Sequence, residues 1–195
     1  MSRSGMTAII EELRTMTEAG TAEYTVGTTS YWSDNALQDV LDLYRNNLTH
    51  YPTQWNPIVV SGGTLQYYDL ALGYGFFEAT TGGTSIFYLQ DSTGTKLGTA
   101  LYSTDYRLGR VTFTSDALGS TIYTTGRHYD LNAAAANVWR KKAAHYAPTS
   151  FSFSTDNHTI RRDQVYDHCL QMAAYFDGQS SSSIQTVSMF RGDME

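Results

Sequence analysis

Residues 121–146 read TIYTTGRHYDLNAAAANVWRKKAAHY, and the period of the chain changes inside this stretch. Up to Tyr129 the residues are β-branched, aromatic and glycine-interrupted, as in a strand. From Asp130 onward Leu131, Ala135, Val138, Trp139, Ala143 and Tyr146 recur at helical spacing, which predicts a helix to about residue 146. Asp130 is placed to cap it, the basic Arg140, Lys141 and Lys142 suit its C-terminal half, and Pro148 ends it.

Upstream, residues 51–129 keep the strand-like texture. Apolar runs at 58–60, 65–72, 86–89, 97–102, 110–114 and 121–124 alternate with Gly62-Gly63, Gly82-Gly83, Asp91-Ser92-Thr93-Gly94 and Gly119. Glycine supplies the positive φ that tight hairpins need, so an antiparallel β-domain of about five or six strands is expected. Before it lie two helical patterns. Residues 4–19 carry Met6, Ile9, Ile10, Leu13 and Met16 on one stripe, with Ser4 as N-cap and Gly20 as stop. Residues 34–48 follow the N-cap Ser33 and carry Leu37, Val40, Leu41, Tyr44 and Leu48. Residues 21–32 read as a connector or short strand.

Downstream, a polar loop at 149–160 leads to a fourth helix at about 162–177. Val165, Cys169, Met172, Ala173 and Phe176 form its stripe, and Gly178 stops it. A serine hinge then precedes a strand-like piece, Ile184–Phe190. Helices this short are marginal alone, so the two pairs are expected to pack together. The expected fold is α+β: a small helical bundle with an inserted antiparallel β-domain and an extended tail. Residues 1–50 and 130–178 would form a discontinuous helical domain, 51–129 the insertion, and 179–195 the tail.

The chain has 195 residues, one cysteine and a net charge of −6. A single Cys169 excludes an intrachain disulfide and a Cys-based zinc cage. No apolar run is long enough to span a membrane, and the charged residues within the first helix do not fit a signal peptide, so synthesis in the cytoplasm is expected. Histidines 50, 128, 145, 158 and 168 make no metal-ligand spacing. Neither GxSxG, SxxK nor a P-loop occurs, and Gly73-Tyr74-Gly75 lacks a third glycine and a following helix. No catalytic residue, cofactor or metal is therefore assigned, and the chain is not expected to be an enzyme. Arg191-Gly192-Asp193 spells an adhesion tripeptide, a motif that recurs by chance. The 15 tyrosines read as core or protein-interface residues, with a sugar-stacking platform as the alternative.

Charge is segregated. Residues 1–125 hold twelve acids against six bases, whereas 127–162 hold Arg127, Arg140, Lys141, Lys142, Arg161 and Arg162 against Asp130 and Asp156. Either this is an ordinary solvated face, or a basic edge meets a neighbour's acidic edge head to tail, which closes into a ring. On the second reading Arg140, Lys141, Arg161 and Arg162 are the candidate subunit-contact residues. Ile184, Val187, Met189 and Phe190 are candidates for a tail that orders on a partner.

The segments LNAAAANVW, STDNH and RRDQVYDHCLQMA, with AIIEELRTMTEAG and YWSDNALQDVLDLYR near the start, resemble the helical parts of head-to-tail connector (adaptor or head-completion) proteins of tailed bacteriophages. The likeness covers both helix pairs; the β-domain departs from the shortest members. It implies a structural virion protein of the neck, a ring of usually twelve copies under the portal. Its implied partners are itself, the portal protein and the next neck or tail protein. Duplex DNA would pass without sequence readout, as an acidic protein allows. The alternative function is a receptor- or carbohydrate-binding virion protein using the Tyr-rich β-domain.

Overall fold

The computed structural model describes residues 3–149, 152–155, 158–161 and 164–180, with side chains from 149 to 163 outside the described set. The elements, in chain order, are α1 (Thr7–Thr17), β1 (Tyr24–Val26), β2 (Thr29–Tyr31), α2 (Asp34–Leu43), β3 (Arg45–Pro52), β4 (Gln54–Val59) and β5 (Leu65–Ala71). They continue with β6 (Thr80–Thr81), β7 (Thr84–Ser85), β8 (Tyr88–Gln90), β9 (Tyr102–Asp105), β10 (Arg110–Phe113) and β11 (Tyr123–Tyr129). Last come α3 (Leu131–Tyr146), β12 (Ser152–Thr155), β13 (His158–Arg161) and α4 (Gln164–Gln179). The fold is α+β, as expected.

Two apolar clusters organise it. The first takes Ile9, Ile10 and Leu13 from α1, Leu37, Val40 and Leu41 from α2, seven buried residues of α3 including Trp139, and Cys169, Ala173 and Phe176 from α4. Helix α3 is the central element, touching α1, α2 and α4. Its alanines explain this: Ala134, Ala135 and Ala136 are all fully buried, and small side chains let neighbouring helices approach from several sides. Asp130 caps α3 by accepting from the Ala133 N–H at 3.0 Å, and Ser33 caps α2 by accepting from Ala36 at 3.3 Å.

The second cluster lies in the β-region. Sheet order β4-β5-β10-β9 and sheet order β3-β11-β8 are both antiparallel. Leu70, Tyr102, Val111 and Phe113 of the first sheet share this cluster with Leu89 and Leu48 of the second. Strand β11 then runs directly into α3, and its last residue, Tyr129, already belongs to the helical core.

Several boundaries differ from expectation. The second helix ends at Leu43 rather than 48, because Arg45–Pro52 pairs with β11 and carries Leu48 into the second cluster. Ser4 caps nothing; residues 4–6 form a 3-10 turn ahead of α1. Helix α1 is closed by Glu18 in the left-handed conformation (φ 50°), not by Gly20. Residues 99–101 make a 3-10 turn, and the strand expected at 97–102 begins only at Tyr102. The polar loop after α3 contains the hairpin β12–β13. Gly178 lies inside α4, and Val165, assigned to its inner stripe, is 52% exposed because the stripe begins one turn later.

Candidate functional site

A buried ionic cluster joins the helical and β parts. Glu78 is fully buried between Phe77 and Ala79. Its Oε1 accepts from Arg3 Nε at 3.0 Å and from the Thr81 hydroxyl at 2.7 Å. Its Oε2 accepts from the Tyr129 hydroxyl at 2.6 Å. The Arg3 guanidinium also forks onto both oxygens of Asp42 on α2, at 2.9 and 2.6 Å. Its backbone N–H donates to Gln38 at 2.6 Å. The Asp42 bond holds the Arg3 pKa above its ordinary value, and burial followed by the Glu78 bond raises that of the Tyr129 phenol. Both therefore stay protonated. Three hydrogen bonds converge on the Glu78 carboxylate, which is fully buried. The cluster is a clamp.

A second buried cation is Lys142 on α3. Its ammonium sits 2.8 Å from Glu23 Oε2, donates to the Glu18 carbonyl at 3.1 Å, and lies 5.0 Å from the Trp139 ring. The Tyr146 hydroxyl donates to the other Glu23 oxygen at 3.2 Å. Cys169 is buried, which raises its thiol pKa and keeps it unreactive. His128 stacks on Tyr74 at 4.2 Å, and burial pushes its pKa down. Tyr24 stacks on His145 at 3.7 Å and His50 on Tyr123 at 3.8 Å.

The four candidate contact residues have different surroundings. Arg140 pairs with Asp177 of α4 inside the same chain. Lys141 is exposed, with no partner among the described residues. Arg161 is the last residue of β13 and its side chain is outside the described set; Arg162 lies outside the described residues. So do Ile184, Val187, Met189 and Phe190. Two further members of the basic strip are engaged internally: Lys142 with Glu23, and Arg127 at 3.8 Å from Glu78.

Sequence reading missed Glu78 and Arg3. The signal was a single acid in the run Phe76-Phe77-Glu78-Ala79: a carboxylate among apolar residues needs a buried partner. Nothing local announced Arg3 as that partner, since it lies 75 residues away.

A cleft of about 160 Å³ opens between the start of α1 and the segments at 76–79 and 106–107. Ala8, Ile9, Phe76, Phe77 and Tyr106 make its floor. The charged liners, Glu12 and Arg107, pair with each other at 2.7 Å. Among the described residues no group of three or more His, Cys, Asp or Glu is placed to hold a metal, and no helix is long and apolar enough to cross a membrane. The chain matches no family model, no curated protein and no solved structure.

Proposed function

We propose that this chain is a structural protein of a bacteriophage virion, forming a ring at the portal vertex that joins the DNA-filled capsid to the tail and extends the DNA channel. The observation that carries this reading is that α1–α2 and α3–α4, separated by the largely β-structured residues 44–130, share one apolar core. That is the arrangement expected of a connector whose insertion projects from a helical base. Helix α4 adds support. It packs chiefly on α3 and leaves Val165, Leu170 and Tyr175 exposed, as suits a helix at a subunit boundary. Lys141 of α3, exposed and without a partner among the described residues, would meet an acid of the next subunit.

Exposed ion pairs contribute only about 0–1 kcal/mol each, so Arg140, Lys141, Arg161 and Arg162 would set orientation and rate rather than affinity. The net charge of −6 suits a channel through which DNA passes without being gripped. The portal and the next neck or tail protein are the proposed partners, and the tail carrying Ile184, Val187, Met189 and Phe190 is a proposed docking segment. Receptor or carbohydrate binding is the weaker reading, because the rings of Tyr24, Tyr74 and Tyr123 are already stacked on histidines of this chain.

Reconstruction of the virion neck tests the proposal. The expected result is a ring of this fold between portal and tail. Density for the chain at the tail tip or on the capsid surface would overturn it and favour the receptor-binding alternative.

A further inference from the structure

The four-stranded sheet has two unlike ends. At one, β4 and β5 run past the last β5–β10 pair, Asp69↔Thr112, and finish at Val59↔Leu65. This tip exposes Ile58 at 51%, Val59 at 71% and Leu65 at 45%. Its turn is ordered, with the Val60 N–H donating to the Thr64 carbonyl at 2.9 Å and the Gly63 N–H to the Val60 carbonyl at 3.1 Å. Residues 46–68, which contain the tip, hold no Asp, Glu, Lys or Arg. A soluble surface hairpin ordinarily carries charge, so an ordered, uncharged, apolar knob is the mark of a contact surface.

At the other end, β5 leads through Leu72 to Phe76 and Phe77, the floor of the cleft beside α1. Seven residues of strand separate the two ends by roughly 23 Å, at about 3.3 Å per residue. The knob therefore cannot fill the cleft of its own chain. In charge the two features match: the tip carries none, and the cleft's Glu12 and Arg107 cancel at 2.7 Å. They also match in size. The cleft holds about 160 Å³, roughly five water volumes, which is the scale of one or two aliphatic side chains.

We infer that the hairpin tip of one copy seats in the cleft formed by Ala8, Ile9, Phe76 and Tyr106 of a second copy of this chain, entering with Val59 and Leu65, which share one face as a cross-strand pair. Two different surfaces meet, so the contact is heterologous. Every open assembly leaves one tip and one cleft unfilled, and a closed ring leaves none. The inference rests on the ring reading and deepens it by naming a contact between neighbouring subunits. The knob and cleft act as its anchor, and surrounding surface completes the interface.

The test uses the full-length chain, with sedimentation velocity across a concentration series. Val59→Asp damages the tip and Ala8→Trp blocks the cleft; both positions are exposed, and circular dichroism checks the fold. Each variant alone is expected to lose every species larger than one chain. Mixed in equal amounts they should form a heterodimer and nothing larger, because one sound tip then meets one sound cleft. Variants that assemble like the unaltered chain would overturn the contact and leave the ring reading standing. An unaltered chain that stays single throughout, with no disulfide between Val59→Cys and Ala8→Cys copies under oxidation, would also overturn it. So would variants that assemble normally yet fail to enter particles, since the tip would then belong to another protein. The ring reading is judged separately, by the position of the chain in the virion.

Discussion

His128 shows what burial does to one ionisable group. It is 6% exposed, stacked on Tyr74 and packed against Phe77, and its pKa is lowered by desolvation, with Asp130 acting weakly in the other direction. The unfolded chain therefore binds this proton at a higher pH than the folded one. Stability is fully present above the unfolded value of about 6.5 and falls as the pH drops through the lowered folded value. Urea midpoints measured from pH 8 down to pH 5 should show this decline, and His128→Gln should flatten it. Trp139 makes a different point. Its helical spacing predicted an inward side chain, and it is 3% exposed, with its indole N–H 3.4 Å from the Met16 carbonyl of α1. Trp139→Ala is expected to cost about 3–5 kcal/mol, read as a lower urea midpoint at unchanged slope.

Turns separate two kinds of glycine. Gly109, between β9 and β10, has φ +64°, and a Cβ there would fall 1.6 Å from the Tyr74 carbonyl oxygen. Gly62, at the hairpin tip, has φ +88° but open space around it. Gly62→Ala should therefore cost about 1–2 kcal/mol, the left-handed penalty alone. Gly109→Ala should cost clearly more, because the 73–75 segment must also move; thermal melts of both variants make the comparison. Sequence marked Gly62 as a turn and passed over Gly109, since the close approach there involves a segment more than 30 residues away. The same limit explains the second helix. Residues 34–48 satisfy a helical stripe throughout, and pairing of Arg45–Pro52 with β11 overrides it after Leu43.

Across the whole molecule, the Glu78 clamp decides whether the two clusters unfold together. Arg3 precedes α1, Asp42 lies on α2, Tyr129 ends β11, and Glu78 lies in the β-region. Removing one member of a buried ionic cluster costs about 3–5 kcal/mol. Glu78→Leu is expected to lose that much and to separate the helical transition, followed at 222 nm, from the aromatic near-ultraviolet transition; in the unaltered chain the two should coincide. The α+β class, the caps at Ser33 and Asp130 and the inward faces of α1 and α3 were legible in the residues alone, because these depend on periodicity and on bonds within a few residues. Packing of the folded chain was needed to set where α2 stops, that Arg140 turns to Asp177, that Arg3 reaches Glu78, and that the sheet ends in a knob and a cleft. Apart from the hairpin tip, whose two strands pair locally, those outcomes depend on partners 35 or more residues away, and no local pattern encodes which distant residue will be there.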